Sequence, residues 1–327
     1  MTTAEILAEF RNLRVLVVGD VCLDRWCIYD PALADPSRET GLPRIAVVST
    51  ELTPGAAGTV ASNVVALGAR AAVLGPVGAD GHGYELARAL KARGIQDHHL
   101  VWADDISTFT YTKLINCRTG EEDLPRVDFV NTQVPAAELD AEIVRRLENV
   151  APEHDVILVS DQAETVQGGA VTPAVREALA RIACTRPQAV VWVDSRRRAE
   201  LFRGVIVKAN RQELEAASMR ALGRFDYAQL RRHISAPLLV ITAGAEGALV
   251  VEDRGTTAVL TKRISKPVDI CGAGDSFSAG AALTLRVTGD PLTAVQFGNL
   301  VASITIMKKG TGTALPEEVL AAENHSI

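Results

Sequence analysis

Residues 270–280 read ICGAGDSFSAG, so that Gly272, Ala273 and Gly274 lead into a single acid, Asp275, and small residues then lead into the apolar run AALTL. The glycines permit positive φ and close approach of backbone N–H groups to a ligand, and the helix expected from the following run directs its positive end at the same point. That combination is an anion hole, suited to charge developing on a transferred phosphoryl group. A carboxylate placed there repels phosphate unless it has another task. The task that fits is accepting the proton of a substrate hydroxyl that attacks phosphorus. The plainer use of the same acid is as a helix cap, offsetting unpaired N–H groups in the first turn.

The elements that must position such a loop are legible as short apolar runs: RVLVVGD, AAVLGPVG, DVILVSD, AVVWVDS, GVIVKAN, PLLVITAG and ALVVED. Continuous rather than alternating apolarity is what strands buried on both faces require, which predicts a parallel sheet between helical layers. Helix-period segments, among them GYELARALKARG, PAAELDAEIVRRLENV, TPAVREALARIA and FDYAQLRRHI, lie between the runs and give a β-α alternation. The expected fold class is α/β, with one doubly covered sheet along most of the chain. Residues 26–52 and 109–131 break the rhythm with shorter, period-2 segments and predict a small separate sheet. The buried runs end in Asp20, Asp161, Asp194, Asn210 and Thr242. Ligands of open α/β sheets bind beyond the carboxyl ends of the strands, so this row reads as a ligand-lined rim.

The 327 residues, 47% of them hydrophobic, suffice for one large α/β domain or two small ones, and no linker or boundary forces a second domain. A net charge of −6 without basic or acidic blocks gives no footprint for nucleic acid or membrane, leaving a small molecule as the expected partner. The five cysteines, Cys22, Cys27, Cys117, Cys184 and Cys271, are odd in number and contain no C-x-x-C, so buried free thiols of a cytoplasmic protein are expected. The N-terminus lacks a basic head and apolar core, and no run reaches the ~20 apolar residues that span a bilayer. Neither a P-loop nor a G-x-G-x-x-G follows a strand, and H-E-x-x-H and G-x-S-x-G are absent. The six histidines, His82, His98, His99, His154, His233 and His325, stand mostly in polar contexts that suggest no metal or catalytic role. Arg196, Arg197 and Arg198 follow a strand end, where they would either meet phosphate or form a solvated turn.

Taken together, the motifs resemble those of the PfkB or ribokinase-like carbohydrate kinases. DICGAGDSFSAG (269–280) is similar to the family's D-T-x-G-A-G-D-x-F, PGAAGTVASNVVALGA (54–69) to its glycine-rich signature, and VGADGHG (77–83) to its G-x-D-x-x-G. ANRQELE resembles N-x-x-E, and TAGAEGA resembles the T-x-G-x-x-G nucleotide loop. The resemblance implies a single ribokinase-like domain over 1–327, a three-layer α/β/α fold whose mainly parallel sheet carries a small β-lid formed by the two odd stretches. It implies ATP and Mg²⁺ as cofactors, with Asp275 as general base and the amides of Gly272, Ala273 and Gly274 on the phosphoryl group. Asn210 and Glu213 would organise phosphate and hydrated Mg²⁺. Thr242, Gly244 and Gly247 would line the nucleotide, Asn299 would lie near the adenine, and Asp24 would bind sugar hydroxyls. Asp269 with the loop KKGTGT (308–313) would hold a monovalent cation such as K⁺, and the lid would offer a homodimer surface.

Within the family the chain is most similar to the kinase half of the bacterial heptose-7-phosphate kinases of the ADP-heptose pathway, through VVGDVCLDRW, SRE with LPRIAVV, and YTKLI followed by PRVDF. That similarity implies that Lys113 and Arg126 stand near a phosphate on the substrate. The departures fall on the sugar side. Gly55-Ala56 replaces Gly-Gly, and Thr59 replaces an asparagine whose amide can both donate and accept. Asp194-Ser195-Arg196-Arg197 stands for D-P-K-G, and Gln162-Ala163-Glu164-Thr165 for Y-x-K-G. No nucleotidyltransferase segment follows, so any heptose role would be monofunctional. The expected activity is ATP-dependent phosphorylation of a sugar or sugar-phosphate hydroxyl; a catalytically silent sugar-nucleotide sensor and a nucleoside kinase of the same fold are the competing classes.

Overall fold

The computed structural model describes residues 1–163, 165 and 167–324, so that Glu164 and His325 lie outside the described residues. The chain begins with α1 (Thr3–Phe10), β1 (Arg14–Gly19), β2 (Val21–Tyr29), β3 (Val47–Ala56), α2 (Ala57–Ala66), β4 (Arg70–Leu74), β5 (Pro76–Gly78) and α3 (Gly81–Ala92). It continues through β6 (Val101–Ala103), β7 (Phe109–Asn116), β8 (Val127–Phe129), α4 (Ala137–Val150), β9 (Val156–Asp161), α5 (Pro173–Thr185), β10 (Val190–Ser195) and β11 (Ile206–Asn210). The remainder is α6 (Arg211–Leu222), α7 (Tyr227–His233), β12 (Leu239–Thr242), β13 (Ala248–Glu252), β14 (Gly255–Val259), α8 (Ala273–Thr288), α9 (Pro291–Thr305) and α10 (Pro316–Asn324).

Eight strands form the main sheet in the order β14-β13-β12-β11-β10-β9-β1-β4, parallel from β4 to β12. Successive side chains of a strand face opposite sides. Val15 and Val17 therefore enter a core with α1, α2, α3, α8, α9 and α10, while Leu16 and Val18 enter a second core with α4 to α7. Two apolar layers around one sheet make the architecture a three-layer α/β/α sandwich. The run ALVVED departs from the parallel expectation: β13 is antiparallel to β12. Only residues 243–247 separate the two strands, and a parallel crossover needs a dozen residues or more.

A second sheet, β3-β2-β7-β8, pairs β2 with β3 antiparallel, β2 with β7 parallel, and β7 with β8 antiparallel. Its first arm is longer than the 26–52 stretch, because β2 begins at Val21, only one residue after β1, and β3 runs on to Ala56. Residues 30–46 contain only a short helical turn at Pro31–Leu33. Cys27, Tyr29 and Leu114 give this sheet a small core of its own. The expectation of buried thiols holds only for Cys22 and Cys27; all five cysteines are free, and Cys117, Cys184 and Cys271 are exposed. Among the described residues no helix is long and apolar enough to cross a membrane, and no cluster of three or more His, Cys, Asp or Glu side chains could hold a metal ion.

Candidate active site

A cleft of about 610 Å³ opens at the carboxyl ends of β10, β11 and β12, against the first turn of α8. Of the residues singled out from sequence, it brings together Asn210, Glu213, Thr242, Gly244, Gly247, Gly272, Ala273, Gly274, Asp275 and Asn299. Asp24, Gly55, Ala56, Thr59, Lys113, Arg126 and Asp269 are not in its wall and belong to the neighbouring small sheet, its junction with α2, or the loop before α8.

Helix α8 starts after Gly272, whose φ of +76° is the left-handed conformation that glycine adopts without strain. Gly272 caps the helix without any side-chain hydrogen bond. Asp275 lies in the first turn and is only partly exposed. Burial first, and then the neighbouring charge of Asp194, push its carboxyl up to about 7; Lys208 and Arg196 oppose this and Asp24 adds to it. A carboxylate that titrates near neutrality has the proton affinity required of a base at physiological pH.

Asn210 and Glu213 are explained locally before any ligand is considered. Asn210 caps α6 by accepting the Glu213 N–H at 2.9 Å, and Glu213 Oε2 accepts the Asn210 N–H at 2.8 Å, a reciprocal capping box. The carboxyl of Glu213 is raised chiefly by burial. Gly247, at φ +89°, packs so closely against the Val259 carbonyl that no side chain fits. The Asn299 amide donates to that same Val259 carbonyl at 3.4 Å.

The small sheet carries the other half of the predicted set. Its register places Thr53, Asp24, Tyr111 and Asp128 in one cross-strand row, and Glu51, Trp26 and Lys113 in the next. Residues directly paired across strands share a face. That face is turned toward the main body, since the Trp26 ring packs near Gly310 and Asp24 and Lys113 act electrostatically on Cys271, four residues before Asp275. Burial raises the Asp24 carboxyl to about 6 despite the opposing effects of Cys22, Lys113 and Arg126. Lys113 lies over the Trp26 ring at 4.3 Å, with Glu122 3.8 Å away. Arg126 lies over the Tyr111 ring at 4.7 Å and pairs with Asp128 at 2.7 Å.

Two departures from the family pattern now have a geometry. Ala56 holds φ +49° and ψ −117°, a conformation L-residues rarely adopt. Thr59 is 2% exposed and its hydroxyl donates to the Pro54 carbonyl at 3.2 Å. The Thr59 methyl lies under Gly272, 3.4 Å from where a Cβ would stand. The position of the family's asparagine is thus apolar packing beneath the loop rather than a polar group facing the cleft.

Asp269 joins two loops. Its Oδ1 accepts the Cys271 N–H at 2.9 Å and its Oδ2 the Gly310 N–H at 3.1 Å. The expected rim of strand-end polar residues divides: Asp194, Asn210 and Thr242 line the cleft, whereas Asp20 and Asp161 serve the interior. Asp20 accepts the N–H groups of Gln162 and Ala170 at 2.8 and 2.7 Å, and Asp161 binds the buried Arg198 and the Ser195 hydroxyl. Of the three arginines, only Arg196 faces the cleft. Lys208, which was not singled out from sequence, lies in the cleft wall with its ammonium 2.6 Å from Asp194 Oδ2. Its only sequence signal is a cation inside an otherwise apolar buried run.

A three-layer α/β/α sandwich with a small sheet beside a cleft at its strand ends is the ribokinase-like architecture. Phosphofructokinase-2 from Escherichia coli, solved in complex with potassium, superposes with a TM-score of 0.71 at 20% identity, covering 96% of this chain and 99% of the other. Ribokinase from Thermotoga maritima superposes with a TM-score of 0.68 at 20% identity, over 95% and 99% of the two chains. In sequence, residues 13–318 match the pfkB family carbohydrate kinases, and the chain belongs to that family. Curated relatives include the bifunctional protein HldE of Halorhodospira halophila, 32% identical over 325 residues, and that of Methylococcus capsulatus, 31% identical over 329. Each alignment covers 97% of this chain but only 64% and 65% of the relative, so the chain spans about two thirds of their length. The family model is that of carbohydrate kinases, enzymes that transfer a phosphoryl group to a sugar hydroxyl.

Proposed function

We propose that the protein transfers the γ-phosphoryl group of ATP to a hydroxyl of a sugar that already carries a phosphate, with Asp275 as the base. The observation that carries this reading is the placement of one partly buried carboxylate, titrating near 7, directly after three residues whose amides begin a helix. In this reading the acceptor hydroxyl gives its proton to a carboxylate oxygen of Asp275 as its oxygen attacks phosphorus. The amides of Gly272 and Gly274 take up charge on the phosphoryl oxygens, that of Ala273 being engaged by the Ile270 carbonyl at 3.2 Å, and ADP leaves along Thr242, Gly244 and Gly247, with Asn299 toward the base. Glu213 has one oxygen engaged by the Asn210 N–H at the start of its own helix. That suits a Mg²⁺ ion that keeps most of its waters and is held through Asn210, Glu213 and the nucleotide phosphates. When bound, the ion would neutralise charge between the β- and γ-phosphates.

The small sheet supports the choice of a phosphorylated acceptor. Asp24 would receive sugar hydroxyls beside Gly55 and Ala56, with Arg126 over Tyr111 in the same cross-strand row and Lys113 one strand repeat further on, about 7 Å away, as cations for a dianion. A heptose 7-phosphate meets this requirement, in keeping with the HldE relatives. The Asp269 loop would take a potassium ion, and exposed Val47, Val48, Val127 and Phe129 suit contact between two small sheets of a homodimer. The test is ADP release from Mg·ATP across matched pairs of free and phosphorylated heptoses, hexoses and pentoses, with nucleosides included. Faster turnover of the phosphorylated member of a pair is expected. Turnover of nucleosides alone, or none at all, would overturn the assignment.

A further inference from the structure

Asp194 is the penultimate residue of β10 and Lys208 the central residue of β11, and the two are direct partners in the register of these strands. Their side chains are 10% and 5% exposed, with Nζ 2.6 Å from Oδ2. The same Oδ2 accepts the Ser278 hydroxyl at 3.2 Å, and the Lys208 ammonium lies 3.5 Å from the Gly274 carbonyl. A Cβ on Gly274 would stand 2.9 Å from Nζ and 3.8 Å from Asp194 Oδ2, so the first turn of α8 rests on the pair. Asp275 is thereby bracketed: the residue before it is held by Lys208 and the residue three after it by Asp194. Two residues beyond Lys208 on the same strand comes Asn210, where the capping box begins. The ion pair thus ties the nucleotide half of the cleft to the turn that carries the acid.

A buried ion pair is a poor way to stabilise a fold, since apolar residues of similar volume in its place are often neutral or better. We propose that Asp194 and Lys208 are a positioning pair for Asp275, holding the first turn of α8 on the ends of β10 and β11 and setting the fixed charge beneath the carboxylate. This deepens the reading of Asp275 as the base and rests on it. The groups whose charge reaches Asp275 are Asp194, Lys208, Asp24 and Arg196, and the thiols of Cys22 and Cys271 lie within its influence. Asp194 acts on it more strongly than Lys208 does, in the opposite direction.

The experiment uses the full chain. A Lys208→Met change alone strands a buried carboxylate and risks unfolding, so the decisive variant is Asp194→Asn with Lys208→Met, which conserves net charge and leaves Ser278 an acceptor. The Asp275 carboxyl is followed by ¹³C NMR of aspartate-labelled protein, its resonance assigned by its loss in Asp275→Asn. In the double variant its midpoint is expected to fall, since Asp194 raises it more than Lys208 lowers it. Turnover with the best acceptor should fall at least tenfold while KM for Mg·ATP stays within threefold, and Lys208→Arg should restore more turnover than Lys208→Met. An unmoved Asp275 midpoint with turnover within twofold of the parent would overturn the pairing. An active Asp275→Asn variant would instead remove the base reading, while the NMR titration still decides whether the pair governs that carboxyl.

Discussion

The carboxylate of Asp24 occupies the space that a side chain on Gly55 would need: a Cβ built there stands 2.5 Å from Asp24 Oδ1 and meets Cys22 Sγ as well. Both obstacles are side chains, so Gly55→Ala moves Asp24 and Cys22 rather than breaking the β2–β3 ladder. If Asp24 reads acceptor hydroxyls, KM for the acceptor should rise at least tenfold in this variant while KM for ATP changes less than twofold. Steady-state kinetics with each substrate varied in turn checks this, and equal effects on both would place Asp24 outside the acceptor site.

Ala56, one residue on, sits in a backbone region that costs an L-residue on the order of 1–3 kcal/mol. Glycine relieves that strain but loses roughly 0.5–1 kcal/mol through the freedom of the unfolded chain. Ala56→Gly is therefore expected to stabilise the protein by about 1 kcal/mol in urea unfolding. Removing the methyl also reopens the backbone approach beside Gly55, and a lower KM for the acceptor should accompany the gain in stability.

Three acids bind protons more tightly in the fold than in the unfolded chain: the buried Asp20 and the partly buried Asp24, each raised to about 6, and the partly buried Asp275, raised to about 7. Between about pH 4 and 7 the native state then holds more protons than the unfolded state, so these groups lower stability as pH rises. Thermal unfolding should show a higher midpoint near pH 5 than near pH 8. Activity should run the other way, with an acid limb near pH 7, because the base must be ionised. Asp275→Asn removes the penalty at its source and is expected to gain about 2–4 kcal/mol at pH 8 while losing at least a thousandfold in turnover. Loss of turnover without any gain in stability at pH 8 would show that Asp275 is not burdened by its burial.

What could be read from the sequence was whatever the chain records locally. The apolar runs located seven of the eight main strands, because strands buried on both faces cannot hide their composition, whereas the mostly exposed edge strand β14 left no such run, and ICGAGD named its own helix start. The antiparallel turn into β13 was recorded only in a loop length. The direction in which a strand-end residue points was not recorded at all: Asp20, Asp161 and Asp194 follow equally apolar strands, yet the first two bind backbone amides and an arginine inside while the third lines the cleft. Nor could Thr59 reveal that its hydroxyl is engaged by Pro54, five residues back on the preceding strand. Lys208 was missed because its meaning lies in a neighbour fourteen residues upstream, beside it only once β10 and β11 pair.

The inward-facing member of that row makes a prediction of its own. Arg198 and Asp161 are 4% and 1% exposed, and the guanidinium binds the carboxylate through both Nε and Nη2 while also donating to the Gly168 carbonyl at 3.1 Å. The pair ties the end of β9 to the loop after β10, and the Asp161 carbonyl accepts the N–H of Arg196, which lines the cleft, at 3.1 Å. Arg198→Met leaves a buried carboxylate without its cation and should cost about 3–5 kcal/mol, whereas Asp161→Asn with Arg198→Met should recover most of that loss. Because neither residue touches the cleft, the recovered double variant should keep its KM for ATP within threefold and its acid limb in place, unlike any change at Asp194. Urea unfolding and a pH–rate profile on the same preparations separate the two aspartates, and an acid limb that moved with Asp161 would give it a part in setting Asp275 as well.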